Sequence, residues 1–271
     1  MASAKKRRFT KKPLWLRDLL KVDSIVEEAI SELIKEMNVK SFLEILISRN
    51  LYEVLKKLEK KAHEIYKHYE DEVREKFMKG YYGKNIDANE FEKSLTNTRR
   101  RRAGETFEKI FLKILSEYKV PYEDHVNMCG AEFDIVIPNK EVALRNPRSV
   151  ILISLKREVR ERWKETVGDV YILKHRRNCK YSEIENIWFA SLGEPSKKAV
   201  KVMTDLNIVV YVPDDVYEEM LNEVRSSFVK PLSKIIDDIL ERVGKSRTTS
   251  VTATQQHRYK TLDDYIKVSQ K

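Results

Sequence analysis

Two short runs decide the fold: Ala131-Glu132-Phe133-Asp134-Ile135-Val136-Ile137-Pro138, and then Ser149-Val150-Ile151-Leu152-Ile153-Ser154-Leu155-Lys156. The first alternates apolar and acidic residues with the period of two that a half-buried strand requires; the second is β-rich and short enough to be a strand. That alternation sets Asp134 on the side opposite Phe133 and Ile135, while Lys156 ends the second run. Before them, Glu105 to Lys119 has helical periodicity through Phe107, Ile110, Phe111, Ile114 and Leu115. After them come a helix expected from Glu158 to about Lys174, a strand around Ile187-Trp188-Phe189-Ala190, a helix after Gly193-Glu194-Pro195-Ser196, and a strand over Ile208 to Val212. The order α-β-β-α-β-α-β predicts an α/β fold, a mixed central sheet flanked by helices. Helices from Asp214 and from Leu232 close this core near Gly244.

Working outward, the N-terminal part is helical. Ile25, Ala29, Ile30, Leu33, Ile34 and Met37 recur at helical spacing, with Ser24 as expected N-cap and Glu27 completing a capping box. A longer pattern from Ser41 to Met78 is expected to break near Asn50 and to stop at Gly80. A loop with a short capped helix then leads into Arg99-Arg100-Arg101-Arg102 and Ala103-Gly104, where the texture changes. The expected organisation is a basic arm over 1–12, a helical region over 13–98, a core over 99–244 and a tail over 245–271 with a short helix at its end.

The chain has 271 residues, enough to bury a substantial core without disulfides or structural zinc. Its two cysteines, Cys129 and Cys179, belong to no CxxC or Cys/His ligand cluster, and no two of the five histidines stand i,i+4 to each other, so no zinc or other metal-histidine site is expected. The basic N-terminus has no apolar segment behind it and no apolar run approaches a membrane span, so a cytoplasmic chain without a membrane partner is expected. Lys plus Arg exceed Asp plus Glu by 53 to 43, which favours a polyanion and, first of all, nucleic acid. A charged fraction of 35% with few glutamines is consistent with a hot source. No Walker loop, G-x-S-x-G elbow or HNH-like histidine cluster is present, which leaves nucleotide hydrolysis and serine-nucleophile chemistry without a basis.

A carboxylate on one strand and a lysine ending its neighbour can converge within a few ångströms. Such a pair suits phosphodiester hydrolysis, the acid helping to hold Mg²⁺ and the ammonium positioning the nucleophile. Taken alone it reads equally as a solvent-facing charge pair. Asp134, then Ser154-Leu155-Lys156, preceded by Ala103-Gly104-Glu105-Thr106-Phe107-Glu108, resembles the PD-(D/E)XK nuclease core. The segment from Ser154 through Lys156 and Arg157-Glu158-Val159-Arg160-Glu161-Arg162-Trp163 resembles, more specifically, type II restriction endonucleases of the EcoRII and PspGI group, over roughly residues 99 to 175. By its length the chain is expected to be of the compact, single-domain type within that group, without an added effector domain.

In that group the middle acid of the motif is displaced and a small residue takes its strand position, as Ser154 does here. The resemblance therefore implies that the displaced acid is Asp169, thirteen residues after Lys156, with Glu165 as fallback, and that Glu108, rather than Glu105, is the additional acid. Asp134, Asp169 and Glu108 would be the Mg²⁺ ligands and Lys156 the catalytic amine. Arg160 and Glu161 correspond to the positions that read base edges: a guanidinium forks onto guanine and a carboxylate accepts from cytosine N4, so the pair can read a C·G doublet. Arg162 completes the set or touches a phosphate, and Arg99 and Arg102 belong to a cationic run read either as phosphate contacts or as an ionic interface.

Members of the group extrude the central base or bases, and a ring of the N-terminal region stacks on one; Lys60, Lys61, His63, Tyr66, Lys67 and Tyr69 interleave cations with rings there. The implied activity is Mg²⁺-dependent cleavage of double-stranded DNA at CCWGG or CCNGG by a homodimer, leaving 5′-phosphates and a five-nucleotide 5′ overhang, with a cognate DNA methyltransferase acting on the same site without needing to bind the chain. The rivals are a structure-specific or repair nuclease of the same core, and a non-catalytic basic DNA-binding protein.

Overall fold

The computed structural model describes residues 13–83 and 86–244. The basic arm over 1–12 and the expected C-terminal helix lie outside the described residues. Five helices come first: α1 (Leu14–Arg17), α2 (Val22–Glu36), α3 (Phe42–Ser48), α4 (Leu51–Met78) and α5 (Ala88–Glu117). They are followed by β1 (Glu123–Met128), β2 (Ala131–Ile137), α6 (Lys140–Arg145), β3 (Ile151–Lys156), α7 (Trp163–His175) and β4 (Asn186–Ser191). The chain continues through α8 (Lys197–Asp205), β5 (Ile208–Val212), α9 (Tyr217–Val224), β6 (Val229–Pro231) and α10 (Ile235–Arg242). The strands form one six-stranded sheet in chain order, antiparallel from β1 to β3 and parallel from β3 to β6. The expected mixed sheet with helices on its faces is the observed architecture.

Two apolar cores lie on the two sides of the sheet. Ile135, Ile137, Ile151, Ile153 and Leu155 share one core with α2, α4 and α5, whereas Val136, Leu152, Phe189 and Val210 share the other with α7 and α8. Every residue of β3 is buried, as expected of a central strand covered on both faces. Alternation along β3 then puts Ser154 and Lys156 on the same side as Leu152, toward α7.

Three local expectations are corrected. Helix α2 starts at Val22 with Lys21 as N-cap and no side-chain capping bond, so Ser24 lies within the first turn. Asn50, by contrast, caps α4 by accepting from the Glu53 N–H at 3.2 Å. Residues 88 to 117 form one unbroken helix through Ala103-Gly104: Phe91, Leu95, Phe107 and Ile110 are all buried, and tertiary burial along its whole length overrides the local glycine. The expected 98/99 boundary falls inside it. Helix α7 begins at Trp163 rather than Glu158, because Arg160 has φ 33°, outside helical space.

Cys129 and Cys179 form a disulfide, which the length argument did not require. It ties the β1–β2 turn to the segment after α7. In that turn Gly130 has φ +91°, and a Cβ there would lie 2.5 Å from Arg176 Nη1, which donates to the Cys129 carbonyl. Gly130→Ala is therefore expected to lower stability by about 1–2 kcal/mol. An unchanged melting temperature would show that the turn tolerates a side chain.

Candidate active site

The antiparallel register between β2 and β3 pairs Ile135 with Ile153 and Val136 with Leu152, which brings Asp134 opposite Ser154. Asp134 Oδ2 accepts from the Leu155 N–H at 2.6 Å, from Lys156 Nζ at 3.3 Å and from Ser154 Oγ at 3.4 Å. Lys156 is only 7% exposed, so its charge is held against Asp134 rather than dispersed in solvent. Ser154 has a role that its type alone did not reveal. Its hydroxyl also accepts from the buried Thr166 Oγ1 at 2.9 Å, linking α7 to the strand pair.

Of the acids expected from helices, Glu108 joins Asp134 in one ligand group, whereas Asp169 stands beside β2 outside that group. Glu108 projects from α5 and forms, with His125 and Asp134, a group whose ligand atoms all lie within 4.8 Å of one another. Burial, and then the Asp134 carboxylate, push the Glu108 carboxyl above its usual range. Asp169 on α7 accepts from the Glu132 N–H at 3.0 Å, which pins it beside β2; burial raises its carboxyl while that hydrogen bond and Lys156 act to lower it. Glu165, the fallback, is turned to Arg162 at 3.5 Å. The donor set suits a hard divalent cation: the partly buried carboxylates of Glu108 and Asp134 stand close enough for each to bear on the other's charge. His125 was missed by sequence reasoning. It sits between the Asp124–Ile135 and Val126–Phe133 pairs, directly across from Asp134, a placement that only the register discloses.

Arg160, Glu161 and Arg162 lie in the β3–α7 connection rather than on a helix. The side chains of Arg160 and Glu161 are 85% and 79% exposed, held only by surface pairs with Glu158 and Lys164. Arg99 and Arg102 are otherwise disposed. Spaced i,i+3 on α5, both turn toward α4: Arg99 pairs with the buried Glu70, and Arg102 donates to the Leu20 carbonyl and lies 5.6 Å over the Tyr66 ring. Arg100 is exposed and, with His63, Arg99, Arg157, Arg160 and Arg162, lines a cationic groove between α5 and the β3–α7 connection.

Arg157 anchors that connection to the helical region, donating to the buried Glu59 at 2.8 Å. Burial holds the Glu59 carboxyl above its usual value, against the attraction of Arg157. A carboxyl raised in the folded state binds more protons than it does unfolded, so stability falls as pH rises above its ordinary value of 4.5. Removing Arg157 raises this carboxyl further and extends the fall upward. Arg157→Met is expected to cost about 2 kcal/mol near pH 7 and distinctly less near pH 4. Urea unfolding at both pH values tests it, and a loss independent of pH would remove Glu59 from the account.

Among the described residues no helix is long and apolar enough to cross a membrane. No family model matches the chain. Its structure is similar to the restriction endonuclease PspGI in complex with substrate DNA, with 30% identity, a TM-score of 0.73, and coverage of 86% of this chain and 96% of that one. Metal-depleted Ecl18kI in complex with uncleaved DNA shares the fold at 18% identity and a TM-score of 0.64, covering 93% of this chain and 90% of that one. In sequence, the type II restriction enzyme SsoII of Shigella sonnei is 28% identical over 127 residues, 43% of this chain and 39% of that enzyme, so the match spans about two fifths of its length.

Proposed function

Because the chain belongs to the type II restriction endonucleases of the PspGI group, we propose that it is a Mg²⁺-dependent enzyme that hydrolyses double-stranded DNA at a palindrome of CC and GG doublets around a central base pair, CCWGG or CCNGG. One observation carries the reading: the Lys156 ammonium stands 3.3 Å from the Asp134 carboxylate on one face of the sheet, with Glu108 beside them.

In this reading Asp134, Asp169 and Glu108 hold the ion. When bound, a divalent cation supplies Lewis acidity toward the phosphate and its attacking water. Asp134 is oriented by the Leu155 N–H and the Ser154 hydroxyl, and Asp169 by the Glu132 N–H. Lys156 donates a hydrogen bond to the attacking water or to the phosphate oxygen where charge develops. Attack on phosphorus expels the 3′ oxygen, giving 5′-phosphate and 3′-hydroxyl ends, with cuts before the first cytosine and a five-nucleotide 5′ overhang. A two-fold site calls for a homodimer in which each subunit reads one half. The groove bordered by His63, Arg99 and Arg100 offers a ring and guanidinium planes to an extruded central base. A DNA methyltransferase of the same specificity, protecting host DNA in the cytoplasm, completes the system.

Digestion of unmethylated plasmid with Mg²⁺, followed by sequencing of fragment ends, tests the proposal. Discrete ends at CC/GG sites are expected; a smear, or cutting confined to branched DNA, would favour a structure-specific nuclease instead. Arg100 is assigned to phosphate. Arg100→Ala should weaken binding evenly across sequences and reduce the slope of log K against log salt by about 1. An unchanged slope would take Arg100 out of the interface.

A further inference from the structure

The proposed chemistry uses Glu108 and Asp134 but leaves His125, the third member of their group, without a task. We propose that His125 is a metal ligand. Together with Glu108 and Asp134 it forms a mixed nitrogen and oxygen site, sharing both acids with the Mg²⁺ position, that prefers a first-row transition ion such as Mn²⁺ or Co²⁺.

Around an ion with ligands at about 2.1–2.2 Å, neighbouring donors lie about 3 Å apart and opposite donors about 4.3 Å apart. The three residues' ligand atoms are all within 4.8 Å of one another, and His125 Nε2 is 3.9 Å from Glu108 Oε2. They are thus close to a coordination triangle. The same 3.9 Å is too long for a hydrogen bond, so the imidazole does not serve merely to satisfy Glu108. His125 stands directly across from Asp134 in a strand where its φ of 50° is one a β-strand residue seldom adopts. Such a conformation, held beside a cluster of ligands, points to a function for the side chain. The ring is 62% exposed and carries no packing duty, so an ion and its waters can reach it. Imidazole nitrogen suits Mn²⁺, Co²⁺ and Zn²⁺, whereas Mg²⁺ favours carboxylate and water.

The inference rests on the nuclease reading of the same acids, and metal binding separates the two. The full-length, DNA-free protein is mixed with MnCl₂; bound Mn²⁺ is counted from the loss of the free-ion EPR signal, and electron spin-echo modulation reports directly bound ¹⁴N. The wild type is expected to show nitrogen modulation. His125→Ala should lose it and bind Mn²⁺ about tenfold more weakly, while Mg²⁺ competition shifts less than about twofold. Because the ring is exposed, a melting temperature close to that of the wild type is expected for this variant. An oxygen-only Mn²⁺ signal, or nitrogen modulation that persists in His125→Ala, overturns the assignment of His125. If in addition Asp134→Asn leaves Mn²⁺ binding unchanged, the metal reading of the acids falls as well.

Discussion

Lys156→Ala is expected to lower Mg²⁺-dependent DNA cleavage by about a hundredfold to a thousandfold while leaving site-specific binding in Ca²⁺ in place. A donor aimed at developing charge in a water-poor site contributes a factor of about 100 to 1,000 when deleted singly. Lys156 has that character: it is buried, and its ammonium is fixed against Asp134. No neighbouring side chain replaces it, since Arg157 is committed to Glu59 and Arg162 is turned to Glu165. Asp134 keeps the Leu155 N–H and the Ser154 hydroxyl, so the variant retains a placed carboxylate and its fold. Single-turnover cleavage and a Ca²⁺ gel shift on the same oligonucleotide give the two readouts. Cutting within tenfold of wild type would leave Lys156 outside the chemistry.

The second large effect concerns sequence choice. Replacing Arg160 or Glu161 by alanine should reduce discrimination between CC/GG doublets and single-base variants by about tenfold to a hundredfold each. Both side chains extend from the β3–α7 connection into solvent, held only by surface pairs that a base edge can outcompete. The contrast with Arg100→Ala is diagnostic, because a phosphate contact changes affinity without changing preference. Discrimination in both mutants as strong as in the wild type would transfer recognition to another part of the chain.

The sheet was legible because period-two patterns are local. Phe133 and Ile135 are buried on either side of the half-buried Asp134 along the chain, although they enter different cores and not the one shared face expected; β3 is short and β-rich, and Asn50 and Ser196 cap the helices that follow them. Strand β1 was not legible: Glu-Asp-His-Val-Asn-Met buries only Val126 and Met128, as an edge strand does, and presents too few apolar residues to register. Nor was the continuity of α5, where Gly104 and four arginines suggested a break that the burial of Phe91, Leu95 and Phe107 prevents. Asp134 and Lys156 could be paired in advance because adjacent strands must align them. His125, Thr166 and the Cys129–Cys179 bond depend on register and on how α7 lies across β2, and residue spacing does not encode that.

Helix α5, 30 residues and about 45 Å long, places Arg99 and Glu108 on a single stiff rod. A protein engineer wishing to fuse the catalytic half to a foreign targeting module could not begin the fragment at residue 99. That cut would sever the rod, discard Phe91 and Leu95, and strip the α2 and α4 surfaces from one side of the sheet. A working chimera has to carry the whole helical half along.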